Sequence, residues 1–294
     1  MKCKDRMGRT VQSNGSQDTM LRILYQTKVG RNVLRVLIQP WVSKLVGYFL
    51  DSHLSTVLIK PFIKGNDISM TEYESTEYHS YNDFFTRRIK NGCRNICKAE
   101  HCLIAPCDSK LTVYPISRDL RFTVKNTEYT MHSLLRSKKL AKRYEEGLLL
   151  IFRLGVEDYH RYCYVDDGIK SKNYRIPGVF HTVNPIANDV YPIYKENTRE
   201  FSILNSAHFG QILMMEVGAL LVGRIVNKHE EKKVTRGEEK GYFEFGGSTV
   251  ILCLEKNRVK IDDDIWQNSR QNIETCVKQG EKIGKSSNDE RIHK

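Results

Sequence analysis

The stretch GYFEFGGSTVILCLEK, residues 241–256, constrains this chain more than any other. Aromatic residues alternate up to Phe245, two glycines follow, then the hydroxyl pair Ser248–Thr249, then a continuous apolar run. The run reads as a β-strand, and glycine inside a strand marks a bulge or a close backbone approach. A second reading is chemical. Two glycines tolerate the φ/ψ values that would bring the Oγ of the next residue onto the preceding carbonyl carbon. Ser248 is then a candidate nucleophile, and Gly247–Ser248 a candidate cleavage step.

Around this strand the texture is β-rich. KLTVYPI (110–116), RFTV (121–124), LLLIFRL (148–154), GVFHTV (178–183) and TVILCLE (249–255) are short β-like runs between turn residues. ILMMEVGALLVGRIV (212–226) predicts strands, since Gly218 and Gly223 argue against a long helix, and residues 128–147 predict one or two helices. Before about residue 92 the pattern is mostly helical, broken at Pro40 and Pro61. SYNDFFTRRIK (80–90) fits a capped helix, with Ser80 or Asn82 as N-cap and Arg87, Arg88 and Lys90 near its end. The expected fold class is α+β. Residues 1–20 are expected to be disordered, 21–95 to form an amphipathic helical region, and 96–284 a β-rich core.

With 40% hydrophobic and 28% charged residues the chain can bury a core, and its formal net charge of +12 suits an anionic partner. Nucleic acid is disfavoured, because no basic stretch interleaved with stacking aromatics and no zinc knuckle is present. Four of the eight cysteines fall in CRNICKAEHCLIAPC (93–107). Their spacing, C-x3-C-x4-C-x4-C, departs from the C-x2-C pairs of zinc sites, so free thiols and no metal are expected. MKCKDRMGRTVQSNGSQDTM (1–20) has no apolar core of a secretory signal, which points to a reducing cytosol. No apolar run reaches the ~18–20 residues that span a bilayer. Residues 33–63 are nonetheless apolar and aromatic, with Arg35, Lys44 and Lys60 interspersed. Val42, Leu45, Val46, Phe49 and Leu50 follow helical spacing, and Trp41 and Tyr48 could anchor at an interface. Such a helix packs on the protein's own core or lies in a membrane interface; periodicity alone leaves both open.

Four segments concentrate reactive side chains: APCDSKL (105–111), EDYHRYCYVDDG (157–168), FHTVNPIA (180–187) and EFGGSTVIL (244–252). Singly each has an ordinary structural explanation. Together they supply an acid, Asp108, two histidines, His160 and His181, a thiol, Cys163, and a serine on a Gly-Gly step, Ser248. That is the inventory of an acid–base–nucleophile set.

These segments, with YNDFFTRRIK (81–90), VGALLVGRI (217–225) and GEKIG (280–284), resemble in their order the motifs of phosphatidylserine decarboxylases, closest to the bacterial form with a Gly-Gly-Ser-Thr processing site. The resemblance runs over roughly residues 20–284. It implies that Ser248 Oγ attacks the Gly247 carbonyl, that an N→O acyl shift and β-elimination release residues 1–247 as a β chain, and that a pyruvoyl group starts the α chain, 248–294. It further implies that this covalent cofactor forms a Schiff base with the amine of phosphatidylserine and takes up the electrons left by CO2, giving phosphatidylethanolamine. Asp108 matches the family's charge-relay acid and Ser248 its nucleophile. His160 matches the first histidine of an H-x-x-H pair, associated with decarboxylation; Cys163 stands where the second, the base, usually lies. Ser109 stands where the family often has Gly.

Three bases stay open: a Cys163 thiolate, His160 in both steps, or His181 from a neighbouring strand. The ordinary thiol pKa of about 8.5 favours a histidine. The implied partners are phosphatidylserine in the bilayer, an anionic membrane surface, and the α and β chains of one precursor, at the cytoplasmic side of the cell membrane. A homodimer is left open. The alternative is an uncleaved lipid-binding pseudoenzyme, with Cys163 in place of the histidine.

Overall fold

The computed structural model describes residues 2–11, 21, 23–75, 77–124, 127–183, 187, 191–219, 224–245 and 248–287. The fold is mixed α+β and β-rich, and it is organised by one eleven-stranded sheet. From one edge the strands run Lys232–Val234, Gly168–Lys170, Arg199–Ser206, Gly210–Val217, Ser248–Leu254, Leu148–Leu154, Ser109–Pro115, Glu274–Val277, Cys3–Lys4 and Thr10–Val11. Tyr174–Ile176 also pairs with Arg199–Ser206. Every pairing is antiparallel except that of Cys3–Lys4 with Glu274–Val277. Ser248–Leu254 lies in the middle, between Gly210–Val217 and Leu148–Leu154, with all seven residues buried. A continuous apolar run is what a strand covered on both faces requires.

Alternation divides that strand between two cores. Val250, Leu252 and Leu254 join Met214, Phe152 and Leu154 on one face. Ile251 and Cys253 join Leu213, Met215 and Ile151 on the other. Ser248 therefore points with Val250 to the first face and Thr249 to the second. The first face packs against a three-stranded sheet, Ile225–Asn227, Glu239–Phe243 and Arg161–Cys163, which contributes Tyr162, Cys163 and Phe243 to the core. The second face is covered by Tyr25, Leu34, the short helices Met131–Leu135 and Lys138–Arg143, and Ile193–Glu196.

The N-terminal helices are Lys28–Leu37, capped by the Thr27 side chain, Pro40–Asp51, with proline in its first turn, and Ile59–Gly65. Leu50 and Ile59 pack with Tyr81, Phe84 and Phe85, and Val46, Phe62 and Phe245 lie against them. The apolar stripe on Pro40–Asp51 is thus split. Leu50 and Val46 face inward, whereas Leu45 and Phe49 stand exposed beside Trp41 and Tyr48. No single helix among the described residues is long and apolar enough to cross a membrane; Lys28–Leu37 and Pro40–Asp51 pass that test only as a pair bent by 70°.

Three expectations are corrected. Residues 2–11, expected to be disordered, form strands at the sheet edge; residues 12–20 lie outside the described residues. Arg6 holds them there through Asp262 at 2.9 Å and Asp264 at 2.6 Å, partners no local pattern reveals. GVFHTV is not a strand but makes one bridge, Val179 to Asn197. The Asn197 side chain takes the ladder positions instead, accepting from His181 N–H and donating to His181 C=O. The helix expected over 80–90 is only Tyr81–Phe85, capped by Ser80. Beyond it Ile89 turns extended to bridge Tyr73, leaving Arg87, Arg88 and Lys90 outside the helix.

Candidate active site

Ser248 is the first residue of the central strand and lies in register opposite Leu154. Its Oγ and that of Thr249 are buried and have no hydrogen-bond partner among the described residues. An unpaired buried hydroxyl costs about 1–3 kcal/mol, so it calls for a reason other than stability. Gly246 and Gly247, and with them the candidate cleavage step, lie outside the described residues. Phe245, the last described residue before them, packs edge-on against Tyr81 and Phe85 with ring centres 4.9 and 5.4 Å away.

His160 reaches the same cluster. Its ring lies 4.2 Å from that of Phe85, and its carbonyl accepts from Phe243 N–H on the strand that leads to Phe245. His160 Nδ1 is 2.9 Å from the Asp158 carbonyl oxygen. A carbonyl can only accept, so Nδ1 carries the proton and Nε2 carries the lone pair. That Nε2 is buried without a partner among the described residues. Burial dominates the titration and pushes the imidazole down to about 3, so it is neutral at ordinary pH. Phe85 thus links the His160 ring to Phe245, the last described residue before Ser248.

Asp108 sits in the opposite kind of environment. Arg94 Nε donates to it at 2.9 Å and Arg94 Nη2 at 2.6 Å, Lys278 Nζ at 3.2 Å, and Gln279 N–H at 2.8 Å. Burial alone would raise its carboxyl; Arg94, Lys278 and Gln279 together hold it below the usual range. Its partners among the described residues include no histidine, so Asp108, His160 and Ser248 are not joined as a hydrogen-bonded relay. Gln279 Nε2 donates to the carbonyls of Pro106 and Arg161, tying the Asp108 loop to the strand that carries Cys163. Cys163 is buried, its N–H donates to the Pro106 carbonyl, and burial pushes its thiol up to about 12. A thiolate base at neutral pH is excluded there.

His181 belongs elsewhere. Its Nδ1 faces the Tyr25 hydroxyl at 3.4 Å, its ring stacks on Tyr191 at 4.5 Å, and its Nε2 is 3.4 Å from Glu196. Tyr25 and Tyr191 belong to the core of the second face, whereas Ser248 Oγ points to the first. Burial lowers the His181 pKa to about 4.

Sequence reading missed several of these residues. Arg94 stands inside the stretch 93–107, where the cysteines are the conspicuous feature. Lys278 and Gln279 directly precede GEKIG, the one signal that pointed to them. Lys240 and Glu216, both fully buried and 2.8 Å apart, left no signal; Glu216 lies opposite Val250, on the same face as Ser248. The cysteines remain free thiols, and the described residues contain no group of three or more His, Cys, Asp or Glu arranged to hold a metal ion.

The model of the family described as phosphatidylserine decarboxylase matches residues 81–285. The chain is 47% identical over 268 residues to phosphatidylserine decarboxylase proenzyme 2 of Clostridium acetobutylicum, covering 91% of this chain and 92% of that one. It is 44% identical over 275 residues to the phosphatidylserine decarboxylase proenzyme of Clostridium tetani, covering 92% and 93%. To that of Clostridium kluyveri it is 41% identical over 270 residues, covering 90% and 91%.

Proposed function

This chain belongs to the phosphatidylserine decarboxylase family, and we propose that it cuts itself between Gly247 and Ser248 and then converts phosphatidylserine to phosphatidylethanolamine and CO2. The observation that carries the reading is the Ser248 hydroxyl: fully buried, without a hydrogen-bond partner among the described residues, and at the head of a central strand that is paired on both sides. Holding a nucleophile against its target makes the reaction intramolecular, which is the largest source of rate available to a lone hydroxyl.

His160 is the base we assign. Its proton on Nδ1 is anchored by the Asp158 carbonyl, so Nε2 is presented as an acceptor at any ordinary pH. A base weaker than ordinary imidazole takes the proton more slowly, which a single turnover per chain tolerates. Asp108 acts at a distance: clamped by Arg94 and Lys278, it fixes the loop through Pro106 and Gln279 that holds the Cys163 strand. The pyruvoyl group left at residue 248 supplies the carbonyl electron sink that decarboxylation needs. The aromatic layer of Tyr81, Phe85 and Phe245 beside it excludes water and disfavours a carboxylate, which favours its loss as neutral CO2.

The substrate stays in a bilayer, so the helical layer is the face we assign to a membrane surface, on the cytoplasmic side. Trp41, Leu45, Tyr48, Phe49, Leu54 and Val57 are all exposed there, and the positive net charge favours an anionic surface. Pelleting with anionic vesicles should weaken with salt and fall at least severalfold in the double variant Trp41→Glu, Phe49→Glu. Unchanged pelleting would assign those side chains to another role.

An intact-mass spectrum of the denatured protein tests the main reading. Two chains, 1–247 and 248–294, the smaller without a free α-amine, are expected. One uncut chain would favour the lipid-binding pseudoenzyme.

A further inference from the structure

A cleft of about 420 Å³ opens between the helix Pro40–Asp51 and the segment Glu244–Phe245. One wall is the helix that bears the exposed Trp41 and Tyr48. Leu50, Phe180 and Phe245 supply apolar lining, and Phe245 is three residues before Ser248. Ser43, Arg175 and Arg224 supply polar groups.

From these groups we infer a subsite for the phosphodiester of the lipid head group, formed by the guanidinium groups of Arg175 and Arg224 and the hydroxyl of Ser43. The inference rests on the decarboxylase reading. Three observations support it. Ser43 is only 3% exposed, yet its Oγ has no hydrogen-bond partner among the described residues: a buried donor lining the cleft. The Arg175 guanidinium has no acid partner among the described residues, and Arg224 meets only Glu244, at a long 3.5 Å. Three cations, Lys44, Arg175 and Arg224, outnumber the two carboxylates of the lining, Glu244 and Asp51, the latter accepting from Asn82 at 2.7 Å.

The connectivity of the ligand agrees with this placement. In a phosphatidylserine the phosphodiester lies between the glycerol, which stays in the bilayer, and the serine, which must reach residue 248. A cleft running from the exposed helix to Phe245 brings the phosphate into its middle. Guanidinium presents paired N–H donors that match two phosphate oxygens, and a hydroxyl adds a third donor. A lipid head group and free inorganic phosphate share this anion chemistry, so the test separates them.

The experiment uses the self-processed protein with phosphatidylserine in mixed micelles at fixed detergent. Arg175→Gln and Arg224→Gln should each raise KM about tenfold, and the double variant about a hundredfold, as expected for charge-assisted hydrogen bonds. O-dodecylserine, a probe with the amine and carboxylate but no phosphate, should show a KM shift below about twofold in the same variants. Glycerophosphoserine should compete with the lipid, about tenfold less well in either variant, while inorganic phosphate at equal concentration should not. Arg175→Lys should recover part of the loss.

Three results would overturn the subsite: an unchanged KM, an equal shift for both substrates, or vesicle pelleting that falls in step with KM, which would make the arginines membrane attractors only. The decarboxylase reading fails separately, if the unaltered protein neither cuts itself nor releases CO2. Equilibrium dialysis with glycerophosphoserine then still tests the subsite, which requires binding to the unaltered chain and loss in the double variant.

Discussion

Asp108 and His160 are two buried titratable side chains, each the residue just before a strand, Asp108 in the large sheet and His160 in the three-stranded one, and the fold treats them in opposite ways. Asp108 is saturated: two cations and a backbone N–H converge on its oxygens. His160 is starved: one carbonyl holds Nδ1, the Phe85 ring lies against the imidazole, and Nε2 meets no partner among the described residues. A fully compensated charge resists change, because removing any partner exposes the others. A lone pair left bare in a dry site has nothing to break before it reacts. On the function proposed above, the contrast separates positioning, the part of Asp108, from chemistry, the part of His160.

The largest effect expected from that contrast is on cleavage. His160→Gln should slow the appearance of the two chains by about a thousandfold, within the range that a general base commonly contributes. Time-resolved denaturing electrophoresis of freshly made precursor measures it. Its melting temperature should barely fall, since the imidazole makes a single hydrogen bond among the described residues, to the Asp158 carbonyl. A normal cleavage rate would erase the contrast and return the base to open question.

Asp108→Asn should instead act on stability. It leaves the buried Arg94 guanidinium facing a neutral amide, with the half-exposed Glu72 as its remaining acid, while Lys278 reaches solvent; the loss is at most about 3–5 kcal/mol for a buried pair broken on one side. Adding Arg94→Met should recover much of it. Denaturant unfolding of the three proteins makes the measurement, and a loss under about 1 kcal/mol would show that solvent reaches the pair freely.

The two groups also predict different acid sensitivity. Burial holds His160 down to about 3 from its ordinary 6.5, so the unfolded chain takes up a proton that the folded chain refuses. Stability therefore falls as pH drops from about 6.5 toward 3. Asp108 is held below its ordinary 3.8, so its share is present above that value and is lost only below it. His181, lowered to about 4, shares the upper window, and the difference between parent and His160→Gln isolates the His160 part. That variant should flatten the loss between pH 6.5 and 4 and leave the steep part below it.

Legibility in the sequence followed the distance over which each element is decided. The strand Ser248–Leu254 was readable because burial on both faces requires an unbroken apolar run, and Pro40–Asp51 because helix start and spacing are local. The edge strands of residues 2–11 were not, because Arg6 finds Asp264 across 258 positions. Residues 178–183 misled for a different reason. Their composition is that of a strand, but a side-chain amide, Asn197, replaced the partner backbone. At the site, reactive residue types were visible, while their partners were not. Nothing local marks Arg94 as the clamp on Asp108, and the arginines of the cleft look like any others.

Cys163 gives the smallest and sharpest prediction. The thiol is held near 12 by burial, with Glu239 and Asp108 adding to the rise, so it carries no proton-accepting form at neutral pH. Cys163→Ala should leave the cleavage rate within about twofold, at a stability cost of about 1–3 kcal/mol for the emptied space. Cys163→His should do the reverse. It sets an imidazole on the strand that Gln279 ties to the Asp108 loop, where an anion is available to orient it. Cleavage should then speed up, although overpacking costs about 1–3 kcal/mol. If the alanine variant stops cutting while still folding, the thiol is chemically engaged and the division between Asp108 and His160 is incomplete. If only the histidine variant changes the rate, and upward, His160 is working without the relay that a histidine at 163 would rebuild.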